Sequence, residues 1–450
     1  MSDVAKHAPH EIRQRSLLET LEIDTRLLGM IGAFVVICLG FQGWTGFRLQ
    51  PEFTANPVAW LSDGAFLSAR NIFNLTIQTV SVAIMATGMV FVIVTRHIDL
   101  SVGALLALCS AVMGLMQVWL VPTVMGLGFG HPMVAPMAMV AGLATGTLVG
   151  AFNGWLIGYQ RIPAFIVTLG GLLIWRNVGW YMTSGQTLGP LDKNFLLFGG
   201  SEGTLGATAS WIVAGIAAAL AIWAQFQGRK AKLAHDFRVK PIWAEVMMSA
   251  IYAGAIFGFV AILNSYEVPA GRLRRIFAAR GETMPEGYSE VFGLPISVLI
   301  LIVLAIAMTM IARRTRFGRY IFATGGNPDA AELSGINTRL LTVKVFALMG
   351  FLCALSAIVA QARLQNHTND IGTLDELRVI AAAVIGGTAL SGGIGTIYGA
   401  ILGALIMQSL QSGMAMVGVD SPFQNIVVGL VLVIAVWIDI QYRKRTGALK

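Results

Sequence analysis

At 450 residues, 56% hydrophobic and only 12% charged, with a mean hydropathy of +0.72, the chain is too apolar for a soluble protein of its size and reads as an integral membrane protein. A net charge of +8 would suit a polyanion, but the placement of that charge, followed below, expresses topology and excludes nucleic acid as a partner. Cys38, Cys109 and Cys353 each stand inside an apolar run and lack metal-ligand spacing, so buried free thiols are expected, with no metal and no cofactor.

About 20 apolar residues cross a hydrocarbon core of roughly 30 Å. Residues 1–26 are mixed in charge and hold no small-residue cleavage site, and the apolar run that follows, 27–47, is long enough to span, so it is expected to be retained as a signal anchor. The next run, 72–95, ends in "TRHIDLSVG" (95–103), where Arg96, His97 and Asp99 interrupt an otherwise apolar stretch. Counting from Ile72 brings these residues to the cytoplasmic boundary. Asp99 then precedes Leu100 and Ser101 as a helix N-cap, its carboxylate accepting free amide hydrogens at the positive end of the helix 101–121. The alternative is an ionisable group lining a pathway. Asn153 and Thr168, polar positions in the spans 133–157 and 163–183, join Asp99 and Ser101 as candidates for a pathway or a structural break. Arg176 lies toward the outer end of 163–183 beside Trp175, Trp180 and Tyr181; it either snorkels to the interface or faces an aqueous cavity.

Spans are expected at 205–227, 243–264 and 291–312, with polar insertions at 184–204, 228–242, 265–290 and 313–340, none large enough to fold alone. The loop 265–290 is placed outside, its four arginines matched by Glu267, Glu282, Glu286 and Glu290. In "FGRYIFATGGNPDAAELSGIN" (317–337), Gly325 and Gly326 break the chain, Asn327 caps, Pro328 suits the first helical position, Asp329 lies in the first turn, and Ser334 and Gly335 close the end before Ile336. These signals define a cytoplasmic helix of about two turns, near 10 Å, with Ala330 and Ala331 as a small exposed face. It is either an amphipathic loop helix or a projection shaped to enter a partner's groove.

After 341–363, the apolar stretch 379–417 is too long for one crossing and is interrupted by Gly386, Gly387, Gly392, Gly393 and Gly395. Each glycine costs a helix about 1 kcal/mol relative to alanine, so a broken or hairpin segment is expected, followed by a span at 422–440 and a basic tail at 441–450. The fold class is all-α: a polytopic transmembrane helical bundle of about 10–12 spans, one membrane domain over 27–440 between a cytoplasmic segment 1–26 and a cytoplasmic tail. With both termini inside, 20 of the 31 Lys and Arg residues fall in cytoplasmic segments, the positive-inside bias. "LSGG" (390–393) begins like a nucleotide-binding signature, yet the chain has no phosphate-cradling G-x-x-x-x-G-K-[ST] loop and is not expected to bind ATP itself. The spans show no mid-membrane carboxylate for an ion-coupled carrier, and no paired carboxylates or metal-ligand cluster for a membrane enzyme.

Four stretches, "GMVFVIVTRHIDLSVGALLAL" (88–108), "GAFNGWLIGYQRIPAFIVTLGGLLIWR" (150–176), "GRYIFATGGNPDAAELSGIN" (318–337) and "ELRVIAAAVIGGTALSGGIGTIYGAILGALIM" (376–407), resemble the membrane permease subunits of bacterial ATP-binding-cassette monosaccharide importers. The resemblance runs over about 60–440 and is greatest to the D-xylose-type members, through "WAQFQGRKAKLAHDF" (223–237) and the extra apolar helix after it. Arg96 and His97 stand where the family usually has small or acidic residues, and 271–290 is an insertion. What the resemblance implies is a non-enzymatic permease of the bacterial inner membrane, with the all-helical fold of vitamin-importer membrane domains. Its implied partners are a second permease copy, a cytoplasmic ATPase, a periplasmic sugar-binding protein and a monosaccharide, D-xylose foremost, in a lipid bilayer. Gly325–Ile336 then corresponds to the helix that couples to the ATPase. An ion-coupled secondary sugar transporter is the competing reading.

Overall fold

Proline and glycine punctuate the helices in the computed structural model, which describes residues 25–49, 57–237 and 239–445. Most of the segment 1–26, and residues 446–450 of the tail, lie outside the described residues. In chain order the helices are α1 (Thr25–Leu49), α2 (Pro57–Asp63), α3 (Ala69–Val94), α4 (Val102–Leu115), α5 (Val134–Gly158), α6 (Ala164–Thr183), α7 (Lys193–Leu196), α8 (Gly206–Ala234), α9 (Ile242–Asn264), α10 (Ala270–Ala279), α11 (Ile296–Arg314), α12 (Arg316–Gly326), α13 (Pro328–Leu333), α14 (Thr338–Leu364), α15 (Asp375–Ile385), α16 (Ile397–Met416) and α17 (Ser421–Arg445). No strand forms among the described residues, only isolated bridges in loops. α4 continues as wider π-helical turns over Met116–Val124, where Pro122 lacks an amide hydrogen and its ring would strike the carbonyl of an ordinary helix.

Among the described residues, ten helices are long and apolar enough to cross a membrane. The expected span 163–183 is not one of them. It forms the 20-residue α6, about 30 Å long, but Arg176, Asn177 and its threonines reduce its apolarity. α16 supplies the ninth span and α17 the tenth, and α15, about 16 Å long, is too short to cross, so the expected break falls at 386–396.

The helices alternate in direction, which sorts the loops onto two faces. The face holding 228–242 and 313–340 is called the basic face here. On the opposite face, Arg48 donates to Val417 O at 2.8 Å, and Arg272 of α10 pairs with Glu202 at 2.7 Å, so 265–290 lies on the same side as 184–204, as expected.

α3 is the hub: 94% of its apolar window is buried, against α14, α15, α16 and α11. The hairpin of α8 and α9 is equally apolar yet only 17% buried, because it stands at the periphery. α5 and α14 form the tightest pair. Gly146, Gly150, Gly154 and Gly158 recur every fourth residue on one face of α5, and a Cβ at each would meet the backbone of α14 at Gly350, Phe346, Val343 or Arg339. Between helices in lipid no hydrophobic force acts, so close backbone approach through small residues supplies the attraction. The three cysteines are free and buried, as expected.

Candidate functional site

Asp99, Ser101, Asn153 and Thr168 come together in one buried cluster. Ser101 donates to Asp99 Oδ1 through its backbone N–H at 2.8 Å and its hydroxyl at 2.6 Å. Asn153 Nδ2 donates to Ser101 Oγ at 3.4 Å, and Thr168 Oγ1 donates to Ile98 O at 3.3 Å. One expectation is corrected. Ser101, not Asp99, is the residue flanking α4; the carboxylate closes a local turn onto the amide two residues on. Asp99 is 2% exposed, enclosed where the chain turns back beside α5 and α6 after Val94. The cluster is closed off from the surface and holds the turn that leads into α4.

On the basic face, three breaks meet. Gly393 N–H donates to Val94 O at 3.0 Å, and a Cβ on Gly325 would strike Val94 O and Gly393 N. Gly387, Gly392 and Gly393 take left-handed φ values of 84°, 88° and 76°, which let the 386–396 loop fold back, while Gly386 packs on the backbone of Gly399 in α16. Beside this junction stands α13. Asn327 Oδ1 accepts the Ala330 N–H at 3.0 Å, Pro328 opens the helix, and Gly335 follows its end at φ 82°. Ala330 and Asp329 are exposed, but Ala331, expected on the outer face, is 4% exposed and turned inward. The exposed apolar projection is Leu333 at 90%.

Toward the opposite face opens a cavity of about 690 Å³ of mixed polar and apolar lining, formed by α3, the ends of α14 and α16, the loop 368–373, the start of α15 and Gln424 of α17. It reaches Val82, 13 residues into α3 and about 20 Å deep. Gln78 and Gln408 share an amide hydrogen bond at 2.9 Å, with Gln411 and Gln424 beside them. Arg378 donates to Asp375 at 3.1 Å; Arg363 and Asp370 complete two cations and two carboxylates, so the formal charge of the lining cancels. Arg176 is behind this wall. It donates to Asn369 O at 3.1 Å and Thr373 Oγ1 at 2.9 Å, holding the loop whose other side lines the cavity.

Among the described residues, three carboxylates lie inside the protein. Asp99, Asp375 (9% exposed) and Glu376 (7%) are buried, and Glu376 Oε2 has no hydrogen-bond partner. α15 begins inside the bundle, since Gly372 meets the backbone of Gly103 at the start of α4. Sequence reasoning passed over the whole cavity lining. One signal was there: Gln408 and Gln411, three apart on an apolar helix, are costly in lipid unless they face one another or water.

The family model described as "branched-chain amino acid transport system / permease component" matches residues 71–436. The xylose transport system permease protein XylH of Haemophilus influenzae is 37% identical over 385 residues, covering 85% of this chain and 92% of its own. XylH of Escherichia coli strain K12 is 37% identical over 414 residues, 90% of this chain and 96% of its own. The ribose import permease protein RbsC of the same strain is 31% identical over 375 residues, 83% and 87% respectively. No solved structure matches the chain.

Proposed function

The chain belongs to the family of branched-chain amino acid transport system permease components, and we propose that within it this protein is the membrane subunit of an ATP-driven importer of a neutral monosaccharide, D-xylose foremost. The carrying observation is the cavity lining. Amides and hydroxyls of Gln78, Gln408, Gln411, Ser81, Thr368 and Thr373 stand around a charge-balanced centre, and Val82, Ile371 and Met416 add apolar surface that suits the carbon faces of a sugar. Such a wall exchanges hydrogen bonds with a polyol and offers no net charge to select an ion. The 37% identity to xylose permeases supports the same choice.

In this reading the basic face is cytoplasmic, with both termini inside, and the cavity opens toward a periplasmic sugar-binding protein. Two copies pair so that their cavities share one pathway. α13 docks in a cytoplasmic ATPase, presenting Ala330 and Leu333; the permease itself hydrolyses nothing.

Uptake of labelled D-xylose into proteoliposomes is the test, with the ATPase and binding protein present or withheld. Uptake should require both and ATP. The buried Glu376 carboxylate, with an unpartnered oxygen, favours the ion-coupled carrier as a second reading. Protonophore-sensitive uptake without ATPase would establish that reading instead. Crosslinking from a cysteine at position 330 tests docking; crosslinks confined to 229–240 would move the contact to the other basic loop.

A further inference from the structure

Arg96 serves neither the buried cluster nor the cavity. Its backbone sits at φ 64°, a left-handed conformation that strains a side-chain-bearing residue. Its side chain reaches the last carbonyls of α12: Nε donates to Gly325 O at 2.9 Å and a terminal nitrogen to Gly326 O at 2.8 Å. Those carbonyls lack intrahelical donors and form the negative end of the helix dipole, so a guanidinium there is doubly favoured. The stem of Arg96 also lies against Gly392, where an added carbon would collide with Arg96 Cγ.

One arginine therefore joins the end of α3, the residues just before α13, and the loop between α15 and α16. The far parts of that hairpin, Asp375, Arg378 and Gln408, line the cavity. We propose that Arg96 is a positioning residue that carries displacement of α13 to the α15–α16 hairpin and so couples the ATPase to the cavity. This rests on α13 being the ATPase-docking segment. Packing at Gly392 transmits a push only. The hydrogen bonds from Arg96 to Gly325 and Gly326, with that from Gly393 N–H to Val94 O, also transmit a pull, which a reversible cycle needs.

The test uses the permease in proteoliposomes with its ATPase and D-xylose-loaded binding protein. Arg96→Gly relieves the backbone strain while removing the tether, so it should fold, melt no lower than the parent and retain the ATPase on co-purification. Binding-protein-stimulated hydrolysis and uptake should fall together by about tenfold, within the usual span of coupling energies. Arg96→Lys, with one compact donor group in place of a fork, should keep part of both. Parental stimulation and uptake in Arg96→Gly would overturn the proposal, as would loss of ATPase co-purification, which would reduce Arg96 to a prop for α13. No ATPase association in the parent would instead overturn the reading of α13, and this inference with it.

Discussion

The two ends of the α15–α16 hairpin are built on opposite principles. At the basic face its loop meets α3 and α12 through backbone, with glycines at every close approach and almost no room. At the opposite face the same helices stand apart around about 690 Å³ lined by amides, hydroxyls and paired charges. A dry junction of backbone against backbone is stiff and keeps register; a wet cavity lets side chains change partners at little cost. The pairing suits a device in which movement enters at one end and a solute at the other.

Substitutions at the dry end should therefore act on fold and coupling, and those at the wet end on solute handling. The largest effect is expected from Gly325→Val. Its side chain must displace Val94 O and Gly393 N, which should cost about 3 kcal/mol and abolish uptake; thermal unfolding in detergent and uptake check it. A parental melting temperature would show that the junction is not rigid.

Next comes Arg378→Ala at the wet end. It strands Asp375, but the pair is part-exposed and opens on the cavity, so the loss should be near 2 kcal/mol, the low end for a broken buried pair. Arg378→Gln combined with Asp375→Asn should recover much of that stability without restoring the parental KM for xylose.

Asp99→Leu, in the buried cluster, leaves the Ser101 amide and hydroxyl donors unpaired for about 2 kcal/mol, whereas Asp99→Asn keeps an acceptor and should cost nearer 1 kcal/mol. Uptake per folded molecule should stay parental in both, because the cluster does not touch the cavity. Normal folding with abolished uptake in Asp99→Asn would instead place the carboxylate on the pathway.

The smallest effect belongs to Arg176→Lys. One donor to Asn369 O or Thr373 Oγ1 survives, so KM should rise by less than about threefold, while Arg176→Ala, losing a net bond or two of roughly 1 kcal/mol each, should give a moderate loss. Equal KM in both would make Arg176 an interfacial anchor.

Much of this was legible along the chain. The span-length apolar runs, the broken segment after α14, and α13 from Asn327 to Gly335 follow from local rules: about 20 residues per crossing, glycines as breaks, asparagine as cap. The cavity was not legible, because its residues come from α3, α14, α15, α16 and α17 and acquire a common purpose only when those helices pack. Ala331 and Leu333 differ by two positions on one short helix, and only the docking of that helix on its neighbours decides which of them faces out.

Arg96 and Asp99 show the same division more sharply. Their three-residue spacing announced a polar break between two apolar helices, because charge that close to lipid needs a reason. That one would be sealed with Ser101 in a buried turn and the other would bridge to Gly325 and Gly326, 229 and 230 residues away, depended on partners brought by α12. Hydropathy and capping are properties of neighbours in sequence, and so the sequence by itself determined a many-helix membrane protein with a break at 95–101 and another at 386–396. Burial and long-range hydrogen bonding are properties of neighbours in space. In lipid, where every span is apolar, only packing could distinguish the buried α3 from the exposed α9 and gather scattered glutamines into a cavity.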